Sequence, residues 1–440
     1  MVISIKVDND DFRLMYHYDH DVDLNRNLSG LMGISAVINY ALFTGKIELN
    51  FPTSETDLEF IKEMIQINNR EVFINRLCRI RYPFFKEEYL PQNDEINEMN
   101  SNGDTQLVPL ESCVNHYETG ARAFPAILSS GGKESLLTFG LLREIDSGSI
   151  AYYFNESGGH WKAAKHSHEK MKGVFRTAKV WSNVDRFYGW MNRKMKILDP
   201  EIAFRWADDY PVQLFLFPVY LIAMLPSIRS LGIQSFVMGN ELDDPLEEPT
   251  YQGMRHYYGV YDQSPDFQKR FSRFLADKGF GIALWSALYN IYGSVVENIL
   301  VNRYPELFKL QRSCHSCYYG VGDVIPCGKC SKCLGVRLFI EYSKGDPGEI
   351  NYPGRDSLYE QVKNERMKLD PDELSFLMNG LNSGKYESGT QIEGVHLLEN
   401  ENEPFQEIPG EYRAVLKKII EEYTNGDWKM SDGKWKLIVN

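Results

Sequence analysis

Six consecutive residues, Ser130, Gly131, Gly132, Lys133, Glu134 and Ser135, place two glycines, two hydroxyls, an ammonium and a carboxylate side by side. That mixture suits an oxyanion. Glycine lets backbone N–H groups approach a phosphate without an intervening Cβ, the serines offer hydroxyls, and Lys133 adds a point charge. The flanking residues supply the scaffold: Ala126–Ser129 read as the end of a buried strand, and from Leu136 the apolar residues recur with helical spacing. The glycine pair therefore falls on a strand-to-helix turn, where free N–H groups face outward at a helix N-terminus. The run is not the G-x-x-x-x-G-K-[ST] loop, because here the lysine follows a glycine pair and an acid comes next. Without a ligand, the same six residues make a tight turn in which Ser130 or Ser135 caps the helix.

A second concentration of reactive groups lies between residues 314 and 333, which hold five of the seven cysteines. Cys314 and Cys317 form a C-x-x-C pair, and after nine intervening residues Cys327, Cys330 and Cys333 form a C-x-x-C-x-x-C run. Two-residue gaps let successive thiolates converge on one tetrahedral ion, at S–Zn distances of about 2.3 Å. Such crowding of so few cysteines predicts a metal site rather than disulfides. Four ligands suffice for zinc, and five thiols plus His315 are present, so spacing alone leaves the ligand set open.

The first run resembles the SGGxD[ST] signature of the PP-loop ATP pyrophosphatases, with Glu134 where that superfamily usually has Asp. The resemblance implies an α/β fold with a doubly wound, mostly parallel sheet. It implies ATP bound on Ser130, Gly131, Gly132, Lys133, Glu134 and Ser135, and cleavage between the α and β phosphates that leaves AMP on an acid or carbonyl oxygen. Lys133 and Glu134 are then the catalytic residues, Glu134 serving Mg2+, and Tyr153–Ser157 at the end of the next strand become the nucleotide edge.

Ser316-Cys317-Tyr318 followed by Cys327-Gly328-Lys329-Cys330-Ser331-Lys332-Cys333 is similar to the zinc motif of the 7-cyano-7-deazaguanine synthases, and Arg337 matches the arginine that follows it there. On that pattern the Zn2+ ligands are Cys317, Cys327, Cys330 and Cys333, a closed, structural four-cysteine knuckle with Cys314 and His315 as neighbours. Ser264–Phe267 resembles the stretch upstream of that family's cysteines, and the loop Gly239–Pro245 matches loosely, which implies substrate contacts at Asn240, Asp243 or Asp244. The implied substrate is a deazapurine acid, 7-carboxy-7-deazaguanine, activated by ATP, converted to the amide and, with a second ATP, to the nitrile. The resemblance covers residues 121–342, and the family's usual members are shorter. The longer chain resembles synthase-like proteins of bacterial anti-phage systems, which implies a protein or peptide amine as an alternative acceptor.

Around these motifs, 440 residues leave room for two or three domains. Residues 1–90 read as a small α+β domain, with strands Val2–Val7 and Phe12–Tyr18, a strand Lys46–Phe51, and a helix capped by Ser54 or Thr56. Residues 91–120 read as a linker, since 91–106 are polar and acidic. Residues 121–342 form the catalytic α/β domain, whose later strands are Ile150–Phe154, Lys179–Trp181 and Ser235–Met238. Residues 343–440 are a C-terminal extension with an amphipathic helix that turns Tyr412, Val415, Leu416, Ile419, Ile420 and Tyr423 toward the body and ends at Gly426, then a hairpin over Asp427–Val439. Two apolar stretches, Pro211–Pro226 and Gly281–Gly293, fall short of the roughly 20 residues a bilayer requires and read as buried helices. Lys162, Lys165, His166 and His168 read as a solvated basic helix face, and His17 and His20 as surface or capping residues.

The net charge of −13 argues against general nucleic-acid binding, which needs a Lys/Arg surplus on some face. The opening residues MVISIKVDNDDF lack a basic segment followed by an apolar one, so no signal peptide is expected and the chain reads as cytoplasmic, without a membrane partner. Oligomeric state stays open, a homodimer among the options. Two rival readings remain. One is a PP-loop sulfurtransferase whose cysteines hold an iron–sulfur cluster, although its tRNA substrate fits poorly with the acidic balance. The other is a non-catalytic zinc-binding scaffold with a degenerate ATP loop, for which Glu134 is the argument.

Overall fold

The computed structural model describes residues 1–440 except 115, 118–119, 121–122, 206–209, 242–248, 315, 321–322, 354–357, 365–366, 368, 383–396, 399–407, 425–426, 432–433 and 438–440. Asp243, Asp244, His315 and Gly426 lie outside the described residues.

The protein is α/β, built on a seven-stranded, mostly parallel sheet. Its parallel part comprises β5 (Phe124–Ser129), β6 (Ile150–Asn155), β7 (Thr177–Ser182), β8 (Ile233–Glu241) and the strand Ala283–Leu288. Alternate residues along these strands enter two different cores: Ala126, Tyr152 and Phe236 on one face, Ile127, Tyr153 and Val237 on the other. Burial on both faces explains why the strands read as continuous apolar runs. Pro125 sits inside β5, where a missing N–H would leave a gap in the ladder, and the pairing with β8 shifts register at that residue.

The gap between β5 and β6 is bridged by helix α4 (Lys133–Ile145), and that between β6 and β7 by α5 (His160–Met171). Helix α6 (Val184–Asn192) follows β7. Because the strands run parallel, the β5–α4, β6–α5 and β7–α6 turns and the end of β8 all lie at one edge of the sheet, their carboxyl end, where open α/β sheets bind ligands.

Two segments expected to stand apart are joined to this body. The hairpin of β1 (Val2–Val7) and β2 (Asp10–Tyr18) forms as the sequence predicts, and β2 pairs antiparallel with β7, so residues 1–18 extend the central sheet. Within the stretch read as a linker, β4 (Gln106–Ser112) pairs in parallel with β3 (Lys46–Thr53), which lies between helices α1 (Arg26–Val37) and α2 (Glu55–Val72). Ser54 caps α2 in a full capping box with Asp57. The chain between α2 and β4 contributes only a short helix, α3 (Glu98–Asn102), and short helical turns.

Helix α2 is tied to the body by a fully buried ion pair. Lys278 Nζ lies 2.9 Å from Asp57 Oδ1, and Asn27 Oδ1 (3.1 Å) and Ser54 Oγ (3.4 Å) accept from the same ammonium. Asp57→Ala strands that ammonium without a counter-charge and should destabilise the protein by about 3–5 kcal/mol in urea unfolding. Adding Lys278→Met to Asp57→Ala should restore most of the loss; if the double variant is no better than the single, the pair is not what holds the helix.

Three local expectations are corrected. Gly281–Gly293 is not a helix: Ala283–Leu288 is a strand parallel to β8, since so short a mostly apolar run fits a buried strand as well as a helix turn. His166 and His168 are buried, not part of a solvated face, whereas Lys162, Glu169 and Lys170 on α5 are exposed. In the tail, helix Gly410–Glu421 packs its Tyr412, Leu416, Ile419 and Ile420 on the sheet-side core as expected, but Val415 points to solvent at 43% exposure. Within Pro211–Pro226 the helical part is Phe217–Met224, opened by Pro218 in its first turn. Strands Asp427–Ser431 and Lys434–Leu437 form the terminal hairpin. No helix among the described residues is long and apolar enough to cross a membrane.

Candidate functional site

The six-residue run occupies the β5–α4 turn. Gly131 has φ +79°, and a Cβ there would fall 2.7 Å from Ser167 Oγ on α5, so the position requires glycine on two counts. Gly132 is the N-cap residue of α4, whose opening N–H groups have no carbonyl partners within the helix. The two serines brace the turn: Ser130 Oγ accepts from Gly132 N (3.3 Å), and Ser135 Oγ accepts from Ser130 N (3.3 Å) while donating to Gly132 O (3.1 Å).

Lys133 is buried at 6% exposure and sits between two carboxylates. Its Nζ is 2.9 Å from Glu134 Oε1 and is ion-paired on the other side with Glu241, the last residue of β8. The ring of Phe339 closes the third side, 5.4 Å from the ammonium. Burial pushes the Glu134 carboxyl up, but the ammoniums of Lys133 and Lys332 outweigh it and hold it down at about 2. Glu241 reaches the loop because Gly239 lets β8 pass against α4, where a Cβ would meet the Glu134 backbone at 2.9 Å. Sequence reasoning selects Asn240 and passes over Glu241. Asn240 is buried at the same strand end, with its Oδ1 accepting from Gln268 Nε2 (3.3 Å). No local pattern marks Glu241, because the pairing of β5 with β8 is what brings it to Lys133.

Behind Lys133, burial pushes the Glu297 carboxyl up to about 8, and it accepts from Gln311 Nε2 (3.0 Å). Arg312 then links this loop to the cysteine segment. Its backbone N–H donates to the Gly131 carbonyl (2.8 Å). Its buried guanidinium donates to Val324 O (2.8 Å) and pairs with Asp323 (3.0 Å), which also holds His166 at 2.6 Å.

The cysteine segment brings together the sulfurs of Cys314, Cys327, Cys330 and Cys333, all within 4.8 Å of one another. Cys314–Cys330 and Cys327–Cys333 Sγ separations are 3.9 and 3.7 Å, close to the roughly 3.8 Å edge of a tetrahedron with S–Zn bonds of about 2.3 Å. Four thiols at this spacing fit a metal ion such as zinc. Cys330 also caps helix Ser331–Tyr342, accepting from Cys333 N. Three of the four are residues that the motif resemblance implies, Cys327, Cys330 and Cys333. The fourth place is taken by Cys314, while the Cys317 thiol, buried nearby, donates to the Cys314 carbonyl at 2.7 Å. Arg337 pairs with Glu341 and lies over Tyr352, whose hydroxyl donates to Gly328 O between the cysteines. This geometry makes a sharp expectation: Cys314→Ser loses bound metal, by atomic absorption of the dialysed protein, and Cys317→Ser keeps about one ion per chain. The reverse result assigns the fourth bond to Cys317.

The turn after β6 carries its own polar group of residues. Ser157 has φ +67°, and Glu156 is buried at 4% exposure. Its backbone carbonyl accepts from Asp185 N (3.3 Å) at the start of α6. The β5–α4 turn and the β6 turn face the same edge of the sheet, and Lys332 of the cysteine segment reaches both: burial and then the Lys332 charge push the His160 imidazole down, and Lys332 adds to Lys133 in lowering the Glu134 carboxyl. No family model matches this chain, and no curated protein matches it.

Proposed function

We propose that this chain is an ATP-dependent, AMP-forming ligase or synthase of the PP-loop type that activates a carboxylic acid, 7-carboxy-7-deazaguanine. The observation that carries the reading is the Ser130–Ser135 turn, with Lys133 and two carboxylates, at the carboxyl end of the parallel sheet. A carboxylate resists attack because oxide and hydroxide are poor leaving groups; transfer of AMP to its oxygen supplies a good one. The N–H groups opening α4 and the Lys133 ammonium are placed to stabilise charge on a departing pyrophosphate. Glu134 and Glu241, one on each side of that ammonium, would hold Mg2+, which neutralises phosphate charge when bound. With both carboxylates so engaged, the Lys133 ammonium would turn to phosphate oxygens.

An amine then takes the acyl group and AMP leaves. Ammonia gives the amide, and a second ATP can activate the amide oxygen for loss of water to the nitrile. A protein or peptide amine gives a conjugate, the alternative that the length of the chain favours. The four thiols leave no open coordination position on a tetrahedral ion, so Zn2+ there would be structural. Its place in the mechanism is to order the segment that carries Lys332 and Arg312.

The test incubates the full chain with Mg-ATP and 7-carboxy-7-deazaguanine, with and without ammonia, and follows nucleotides and deazaguanines by mass spectrometry. AMP and pyrophosphate should form only when the acid is present, and the product mass separates amide, nitrile and conjugate. Absence of AMP overturns the reading. Bound iron with a visible absorption band would instead favour the sulfurtransferase.

A further inference from the structure

The helix Gly293–Arg303 follows the parallel strand Ala283–Leu288, so it starts at the same edge of the sheet as the β5–α4 turn. Its first residue presses on the ion pair at that turn. A Cβ on Gly293 would fall 2.7 Å from Glu241 Oε2, 3.1 Å from Lys133 Nζ and 3.1 Å from Phe339 Cζ, so backbone alone fits there. In so close-packed a place, a shift of the helix start displaces the Lys133–Glu241 pair or opens a gap beside it.

What fixes that start comes from far along the chain. A buried helix end needs partners for its opening N–H groups, and the N-cap residue here, Tyr292, makes no side-chain cap. The Glu373 carboxylate takes that place: its Oε1 accepts from Ser294 N at 2.7 Å, across 79 positions of sequence. Ser294 and Glu373 are both buried, at 0% and 1% exposure. A carboxylate out of water is costly unless it is hydrogen-bonded, and the positive end of a helix supplies such a bond. Glu373 is itself anchored in the first turn of helix Pro371–Asn382, where Asp370 Oδ1 accepts from its backbone N–H (3.0 Å). From the same helix, Leu374, Leu377 and Met378 share a core with Leu338 and Phe339 of helix Ser331–Tyr342. One helix of the C-terminal extension thus backs two neighbours of Lys133, Gly293 through a hydrogen bond and Phe339 through apolar packing.

We infer that the C-terminal extension is part of the reactive unit and that Glu373 is a positioning residue, which caps helix Gly293–Arg303 and so holds Gly293 against the Lys133–Glu241 pair. It acts through the backbone of Ser294 and not on the substrate. The inference rests on the AMP-forming reading above, and it gives a task to the extension, which lies outside the stretch that resembles a known family.

Steady-state AMP release by the full chain with 7-carboxy-7-deazaguanine tests it, each rate being divided by the number of α,β-methylene-ATP sites found by titration. Glu373→Ala should lower kcat by about 10- to 100-fold, the usual cost of misplacing reacting groups by about 1 Å, and leave KM for ATP and for the acid within about threefold. Glu373→Gln, whose amide oxygen can accept the same bond, should recover kcat to within about threefold of wild type. Glu373→Asp keeps the charge on a side chain one methylene shorter and should stay several-fold below wild type; it carries the test if the alanine variant does not fold. Amide exchange at Ser294 should quicken in the alanine and aspartate variants and not in the glutamine one. A loss that vanishes when rates are counted per binding site, or that falls on KM instead of kcat, gives Glu373 a merely structural or substrate-binding role and overturns the inference. So does a glutamine variant as slow as the alanine one. If wild type releases AMP and Glu373→Ala matches it, the inference fails alone. If wild type releases none, it fails together with the AMP-forming reading.

Discussion

Lys133→Met should lower acid-dependent AMP release by about 10²- to 10³-fold, the usual loss when one donor to a developing oxyanion is removed. The same change should cost stability. Glu241 is 7% exposed and would lose the ammonium that sits between it and Glu134, and breaking a buried pair in this way costs about 3–5 kcal/mol. The two effects can be separated, since Lys133→Met combined with Glu241→Gln removes the stranded charge and should recover most of the urea midpoint without recovering AMP release. A double variant that regains activity would show that Lys133 only neutralises Glu241. A single variant as stable as wild type would show that the carboxylates find another cation.

Cys330→Ser should have the largest structural effect. Apparent binding energies for structural zinc are about 10–16 kcal/mol, which exceeds the whole stability of most domains. Losing one of four ligands should therefore release the metal and open the segment it orders. We expect less than about a tenth of an ion per chain after dialysis, and fast amide exchange over helix Ser331–Tyr342, whose N-cap Cys330 also provides. Because Arg312 links this segment to Gly131, α,β-methylene-ATP should bind several-fold more weakly to Cys330→Ser and to chelated wild type alike. Metal-free protein with unchanged exchange and unchanged nucleotide affinity would show that the cysteines pack without needing an ion.

How far the sequence reaches depends on the range of the interactions involved. The β5–α4 turn is local: strand, glycine pair and helix start lie within a dozen residues, and their types alone place the turn and its N–H groups. The capping box at Ser54 and the hairpin at Val2–Tyr18 are readable for the same reason. Glu241 is not, because only the parallel pairing of β5 with β8 brings it to Lys133 from more than a hundred positions away. The pairing of β2 with β7 is equally hidden, since a hairpin carries no mark of which sheet it will extend. Gly281–Gly293 fails on period: six mostly apolar residues fit one strand or under two helical turns. The cysteine spacing locates the metal centre, but which of Cys314 and Cys317 joins it depends on the backbone path through the intervening turn, which spacing does not encode. His166 reads as one of several cations on a wet helix because its partner, Asp323, comes from the distant cysteine segment.

The hydrogen bond from Arg312 to the Gly131 carbonyl sets an order of events during biosynthesis. The turn that would receive a nucleotide emerges about 180 residues before the arginine that braces it, and the aspartate that fixes that arginine follows later still. At ordinary translation speeds that interval is roughly 10–40 s. A nascent chain therefore exposes Ser130–Ser135 long before Arg312 can bond the Gly131 carbonyl, and that brace arrives only when the cysteine segment has been made. Premature termination anywhere between the two leaves a fragment that has the whole motif and lacks the brace that shapes it.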